Sequence, residues 1–280
     1  YTSTSRGEFD MAIGFVPPIV EIKTWSPERF KKELKENYEA LKGDGWWARF
    51  LSNHDKPRQV SLYGNDSAYW KESAKMLGCY LHTLPGTPFV YQGEELGMTN
   101  IKLPSIEDYD DIDTKNYYHT MIEDGASEKE ALEESQSISR DNARTPMQWD
   151  NSENGGFSQC NPWLAVNENY TKINAKQQME DEDSVFKFYQ KLIALRKENP
   201  VMIYGDFKLC CEEKGPVIAY TRSLGDVKWL AVHNFSEESQ RFEYKDITGT
   251  TKIILGNYKE QQQKEKVIEL RAYETMILRL

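Results

Sequence analysis

The chain reads as an α/β fold followed by an all-β domain, and three features of residue order predict this. Through the first 200 residues, short apolar runs near 9–15, 46–51 and 88–91 alternate with stretches whose apolar residues recur at helical spacing. From Val201 onward the apolar residues recur at every second position, in runs separated by turn residues. Between these regimes, residues 99–182 are polar and rich in Asn, Asp and Glu. Strands alternating with helices pair in parallel, because each parallel pairing needs a crossover on the sheet face. Period-two runs bounded by turns read instead as an antiparallel sandwich. The expected organisation is a βα domain over 1–200, with the long loop 99–182, and a β-sandwich domain over 201–280.

Each element has its own local signal. Phe9-Asp10-Met11-Ala12-Ile13-Gly14-Phe15 reads as a strand. Ser26-Pro27-Glu28 opens a helix with a capping hydroxyl, a proline at the first turn and an early acid; Phe30, Leu34, Tyr38 and Leu41 follow at helical spacing until Gly43. Trp46-Trp47-Ala48-Arg49-Phe50-Leu51 is short and aromatic, as a buried strand is. A helix over 67–83 ends at Pro85-Gly86-Thr87-Pro88, where Phe89-Val90-Tyr91 begins the next strand. One helix, over 127–134, is expected inside the long loop, which by its length alone is a candidate for function. An amphipathic helix over 184–197 closes the first domain, with Val185, Phe188, Tyr189, Leu192 and Leu195 on one side. Strands are then expected near 217–221, 228–232, 252–255 and 274–278. Gln261-Gln262-Gln263 reads as a solvated loop.

Composition narrows the class of function. With 280 residues, 39% hydrophobic and 12% aromatic, the chain can build substantial cores. Its 45 acidic and 35 basic residues give a net charge of -10, which repels phosphate backbones and anionic lipid and fits a neutral or cationic ligand. No apolar stretch approaches the roughly 18 residues of a membrane span. Nucleic-acid and membrane partners are therefore not expected. Four cysteines without ligand spacing argue against a metal site and a disulfide scaffold, so a reducing cytoplasm is expected, with no cofactor or metal. The strand-like run so close to Tyr1, with no initiator Met, suggests a truncated chain.

The candidate chemistry lies at the end of the aromatic strand, in Ser52-Asn53-His54-Asp55-Lys56-Pro57-Arg58. A carboxylate and an imidazole at adjacent positions facing a cleft can grip neighbouring sugar hydroxyls through charge-assisted hydrogen bonds. Taken alone, the three letters Asn-His-Asp read more simply as an Asx-type turn. Arg140 taken alone reads as a loop salt bridge, with Asp141 or another acid. Asp113, in Asp110-Asp111-Ile112-Asp113, is open between a site acid and a solvated acidic run. Trp46, Trp47, Tyr63 and Tyr91 could stack on sugars, although aromatic residues more often pack.

Three segments carry a family resemblance. Asn53-His54-Asp55 resembles the fourth conserved region of the alpha-amylase superfamily, and the run from Gly86 to Met98 resembles the stretch around its eighth barrel strand. Ser139-Arg140-Asp141-Asn142-Ala143-Arg144-Thr145-Pro146-Met147-Gln148-Trp149-Asp150 resembles the subgroup of oligo-1,6-glucosidases, dextran glucosidases, sucrose isomerases and trehalose-6-phosphate hydrolases. The resemblance implies the C-terminal part of a TIM-type (β/α)₈ barrel, strands six to eight with their helices, followed by an all-β sandwich. It implies retaining α-glucoside chemistry on a short α-glucosidic oligosaccharide, with 1,6 or 1,4 bonds. Asp55 would be the catalytic carboxylate that stabilises the transition state; His54 and Arg140 would bind the sugar at the cleavage subsite, and Asp113 would lie near the leaving sugar. Arg144 would be a structural partner of the loop, Trp149 a packing residue, and Glu94 and Glu95 structural.

By the same resemblance, the nucleophile Asp and the acid Glu lie outside this chain, so the chain alone is expected to be inert. Association with an N-terminal half, or a dimer, is expected to cover its open strand edges. The alternatives are a sucrose isomerase, a trehalose-6-phosphate hydrolase, or a non-catalytic relative such as the ectodomain of amino-acid transporter heavy chains.

Overall fold

The computed structural model describes residues 2, 7–13, 25–41, 45–211, 214–249, 251–260, 262–264 and 266–280. Among these, β1 (Ala12–Ile13), β2 (Trp47–Arg49) and β3 (Thr87–Pro88) form a parallel sheet in that order, with Ala12 opposite Trp47 and Ala48 opposite Thr87. Helix α1 (Pro27–Leu41) crosses from β1 to β2, and α2 (Gln59–Tyr63) with α3 (Trp70–Thr83) crosses from β2 to β3. The expected start of α1 is present: Pro27 opens it, and the Ser26 hydroxyl accepts the Arg29 N–H at 3.2 Å. Gly14, Phe15 and the expected stop at Gly43 lie outside the described residues. β3 is shorter than expected. The Phe89 N–H still donates to the Arg49 carbonyl at 2.7 Å, but Pro88 has no N–H to give, and Phe89 and Val90 turn out to 45% and 40% exposure.

Helix α3 begins three residues later than the spacing suggests. The Asn65 side chain accepts from the backbone of Ser67 and Tyr69, so a turn occupies the expected first helical residues. Its last carbonyls are capped from outside. Arg196 Nη1 donates to His82 (2.6 Å) and Leu84 (3.1 Å), and Arg222 Nη1 donates to Thr83 (2.8 Å). The partnerless carbonyls at a helix C-terminus and the negative end of its dipole both favour such cations. Arg196 comes from α8 (Val185–Glu198), which starts at the Ser184 cap and packs along α3.

The stretch 99–182 is more ordered than a loop with one helix. It contains α4 (Ile112–Glu123), α5 (Glu128–Ile138), α6 (Asp141–Arg144) and α7 (Ala175–Glu180). Helix α5 has the full reciprocal capping box between Ser127 and Glu130, the feature that makes it readable. Helix α4 fully buries only Thr114, so it shows no apolar stripe, and its start depends on the Asp111 cap.

After α9 (Pro200–Tyr204) come two antiparallel sheets. β4 (Asp206–Leu209), β5 (Val217–Leu224), β6 (Val227–Asn234), β11 (Thr275–Arg279) and β8 (Lys252–Gly256) form one, in that spatial order. β7 (Gln240–Glu243), β10 (Val267–Leu270) and β9 (Gln262–Lys264) form the other. Alternation along β5 explains the packing. Ala219 joins Leu230, Val232, Phe242, Ile268, Met276 and Leu278 between the sheets, while Ile218 and Tyr220 join Phe30, Tyr80 and Leu81 on the side of α1 and α3. The larger sheet is thus buried on both faces, and the two parts of the molecule share a core. A polar chain crosses that shared core: Thr83 and Tyr220 hydroxyls lie 2.6 Å apart, Tyr220 lies 3.2 Å from His233 Nε2, and His233 Nδ1 lies 2.7 Å from the Thr275 hydroxyl.

Candidate active site

The chain leaves the C-terminal end of β2 and folds back at Asn53, whose side-chain oxygen accepts the Asp55 N–H at 2.8 Å. The Asx turn and the functional reading are therefore one geometry: the turn is what presents the next two side chains. His54 is 70% exposed and Asp55 33%, with Nε2 to Oδ2 at 3.2 Å. The following residues anchor the turn. Lys56 and Arg58 are 1% and 2% exposed. Burial lowers the Lys56 ammonium to about 8, with the charge of Glu33 opposing.

The long loop closes over this turn through two arginines. Arg58 donates to the carbonyls of Gln92 (2.5 Å) and Asn142 (3.0 Å) and to the Thr145 hydroxyl (3.3 Å), and stacks on Tyr91. Burial lowers its guanidinium to about 10. From the loop side, Arg144 Nη2 pairs with Asp55 Oδ1 at 3.0 Å and its Nε donates to the His54 carbonyl at 2.9 Å. Arg144 is thus a structural partner of the loop and, at the same time, the residue that holds Asp55.

Arg140 lies in a neighbouring cluster. Its Nε donates to Asp111 Oδ1 at 3.0 Å, its Nη2 also binds that oxygen, and Nη2 meets Asp113 Oδ2 at 2.8 Å. The salt-bridge reading of Arg140 therefore holds locally, although its partners are Asp111 and Asp113 rather than Asp141. Asp141 instead accepts the N–H groups of Asp110 and Asp111 and sits 3.8 Å from Arg144. Burial would raise the Asp111 carboxyl, but hydrogen bonds from Arg140 and Thr114 outweigh it and hold it below the usual range. The Arg140 guanidinium is raised, mainly by Asp111, with smaller help from Asp113 and Asp55. Asp55's charge is therefore felt at Arg140, and the two clusters adjoin.

The structure brings His54 and Asp55 together, and Arg140 and Asp113 together, while Asp113 remains 72% exposed on its side chain. Asp111 and Arg58 are site residues that sequence reasoning passed over. Asp111 carries a signal, the helix-cap spacing to Asp113 and Thr114; Arg58 has none beyond following Pro57. Trp149 is a correction: expected to pack, it is 51% exposed. Glu94 is 3% exposed and Glu95 accepts the Gly93 N–H at 2.8 Å, both within the turn after β3. An accessible carboxylate and imidazole beside two arginines can bind vicinal hydroxyls and stabilise positive charge.

Parallel βα units with a polar cluster past the strand ends, followed by two antiparallel sheets, are what the C-terminal part of a (β/α) barrel with an all-β domain behind it presents. The chain belongs to the alpha-amylase family: residues 14–205 match "Alpha amylase, catalytic domain" and residues 217–277 match "Alpha-amylase SusG C-terminal domain". It is 42% identical to an oligo-1,6-glucosidase of Parageobacillus thermoglucosidasius, covering 100% of this chain and 52% of that protein. Among solved structures it is similar to trehalose-6-phosphate hydrolase from Bacillus licheniformis (38% identity, TM-score 0.93, 100% of this chain and 53% of that one). It is also similar to isomaltulose synthase from Klebsiella sp. LX3 (31% identity, TM-score 0.89, 99% and 52%). The chain spans about half the length of the curated relatives it matches.

Proposed function

We propose that the chain forms the C-terminal part of a retaining α-glucosidase that hydrolyses α-1,6 or α-1,4 bonds of short oligosaccharides. One observation carries this reading: the accessible Asp55 carboxylate, set beside His54 at the C-terminal end of β2 and held there by Arg144. Asp55 would accept hydrogen bonds from the hydroxyls of the glucosyl ring and favour the oxocarbenium-like transition state. His54 would bind the same ring, with Arg140 and Asp113 at the rim toward the leaving sugar. Retaining hydrolysis needs two further carboxyl groups, a nucleophile and an acid, flanking the bond. In this reading both come from the part of the relatives that the chain does not span.

Arg140 and Arg144 are both neutralised by carboxylates, which favours a neutral sugar over a phosphorylated one. Phe9 and Ile13 are 64% and 60% exposed beside β1, and Phe89 and Val90 are exposed after β3. This apolar rim supports association with an N-terminal half rather than an isolated three-stranded wall. Unpaired thiols at Cys79, Cys160, Cys210 and Cys211 support a cytoplasmic setting.

The test is turnover of p-nitrophenyl α-glucoside and isomaltose by the full-length gene product. Asp55→Asn should lower kcat by roughly 10²–10³-fold, the scale of one preorganised transition-state contact, with an unchanged circular dichroism spectrum. The 280-residue chain alone should show no turnover. Wild-type kcat in Asp55→Asn would overturn the assignment.

A further inference from the structure

Trp46 and Trp47, at the opposite end of β2 from Asp55, take no part in the site above. They line a hollow of about 260 Å³ with Tyr38, Pro85, Tyr204 and Asp206. Gly86, which immediately precedes β3, lets the chain pass close beneath: a Cβ there would lie 2.4 Å from the Trp47 carbonyl. The walls differ in how firmly they are held. Trp46 is fixed by its indole N–H, which donates to the Thr87 hydroxyl at 2.8 Å. Tyr38 is fixed by accepting the Phe207 N–H at 3.2 Å. Tyr204 is 67% exposed, with its ring centroid 6.2 Å from Trp46 at an interplanar angle of 46°, so the two rings form an open corner.

One polar feature sits among these aromatic faces. Asp206 contributes an exposed carboxylate at the start of β4. Aromatic faces for apolar C–H groups and an acidic acceptor for hydroxyls together match a neutral sugar ring, which has an apolar face and a rim of hydroxyls. The volume lies just below the ~300–1,000 Å³ of drug-sized pockets, which suits one ring rather than a chain of them.

We propose that this hollow is an accessory subsite for a single hexopyranose unit of a neutral saccharide, separate from the His54–Asp55 mouth. A sugar unit held there would tether the protein to substrate without exposing that unit to chemistry. The subsite stands on its own geometry and does not require the assignment of Asp55.

Isomaltose titrated into the 280-residue chain, followed by saturation-transfer NMR and tryptophan fluorescence, tests it. A binding event should be present that Tyr204→Ala and Asp206→Asn each weaken by about 10-fold or more, the effect of one lost stacking or charge-assisted contact. Tyr204→Phe, which keeps the ring face, should retain it, and Asp55→Asn should leave it unchanged. Because Tyr204 and Asp206 are exposed, unaltered thermal melting is expected in these variants and confirms that folding is not the cause. Absence of saturable binding up to about 50 mM, or binding indifferent to Tyr204→Ala and Asp206→Asn, overturns the subsite. Loss of binding in Asp55→Asn alone would assign all binding to the mouth and also overturn it.

Discussion

Arg196→Met is the substitution whose cost can be worked out most directly from the structure. Arg196 is 7% exposed, and its guanidinium donates to the carbonyls of His82, Leu84, Met202 and Gly86. The Met202 carbonyl keeps a second donor, Arg222 Nη1 at 2.8 Å, so three carbonyls are left bare. Each unsatisfied buried acceptor costs about 1–3 kcal/mol, which totals roughly 3–9 kcal/mol. Against this, burial lowers the Arg196 guanidinium to about 10, so removing the charge relieves some strain, and water entry relieves more. The low end, about 3–4 kcal/mol, is expected. For a chain of this size that is a drop in Tm of roughly 10 °C. The assay is urea unfolding followed by tryptophan fluorescence, with Arg196→Lys alongside. Lysine keeps the charge but offers a point rather than a planar fork, so it should recover less than half of the loss. A shift below 1 kcal/mol in Arg196→Met would refute the claim that this arginine caps α3.

Three further outcomes follow from the packing and burial of other side chains. Gly78→Ala should destabilise by about 1–3 kcal/mol in urea unfolding although alanine is the better helix former, because the new Cβ would lie 2.5 Å from the Tyr189 ring, whose hydroxyl is tied to Gln59; equal or greater stability would contradict it. Burial lowers His233 to about 3 and His82 to about 4, so the unfolded chain takes up protons below pH 6.5 that the folded chain refuses. Their stabilisation is complete above pH 6.5 and is lost as pH falls, by about 1.4 kcal/mol per unit for each; His233→Gln should flatten the stability slope between pH 6 and 4.5 by that amount, and an unchanged slope would count against it. Glu94 runs the other way: burial raises its carboxyl well above the usual range, so stability falls as pH rises past its ordinary value, and Glu94→Gln should unfold at higher urea than wild type at pH 7.5; a lower midpoint would contradict the assignment.

What the sequence showed and what it hid have separate physical causes. Helix α8 and strands β5 and β6 bury apolar residues at a fixed period, and their order along the chain is enough to recognise them. The same holds for the turn at Asn53, whose side chain acts on its own neighbours. Helix α4 left no such trace, because its stability comes from the Asp111 cap and from packing on α5 rather than from an apolar face. The roles of Arg58 and Asp111 depend on partners about 30 to 90 positions away; no local pattern announces Arg58, and the cap spacing at Asp111 announces a helix start but not its pairing with Arg140. Nor does composition reveal that the guanidinium of Arg144, rather than that of Arg140, reaches Asp55.

That last point bears on how the mouth works. The described contacts that orient Asp55 are the Asn53 turn, the His54 ring, and Arg144 from the loop. The loop is in turn fixed by Arg58, which sits on the same segment as Asp55, so turn and loop brace each other. A carboxylate oriented in this way is held by contacts within one segment and its loop, whereas bond cleavage by a retaining glycosidase needs two carboxyl groups flanking the bond. On the proposed assignment, sugar recognition at Asp55 and turnover are therefore separable properties. On that reading Arg144→Ala should weaken isomaltose binding at Asp55 in calorimetric titration by releasing the carboxylate, and an unchanged affinity would count against it.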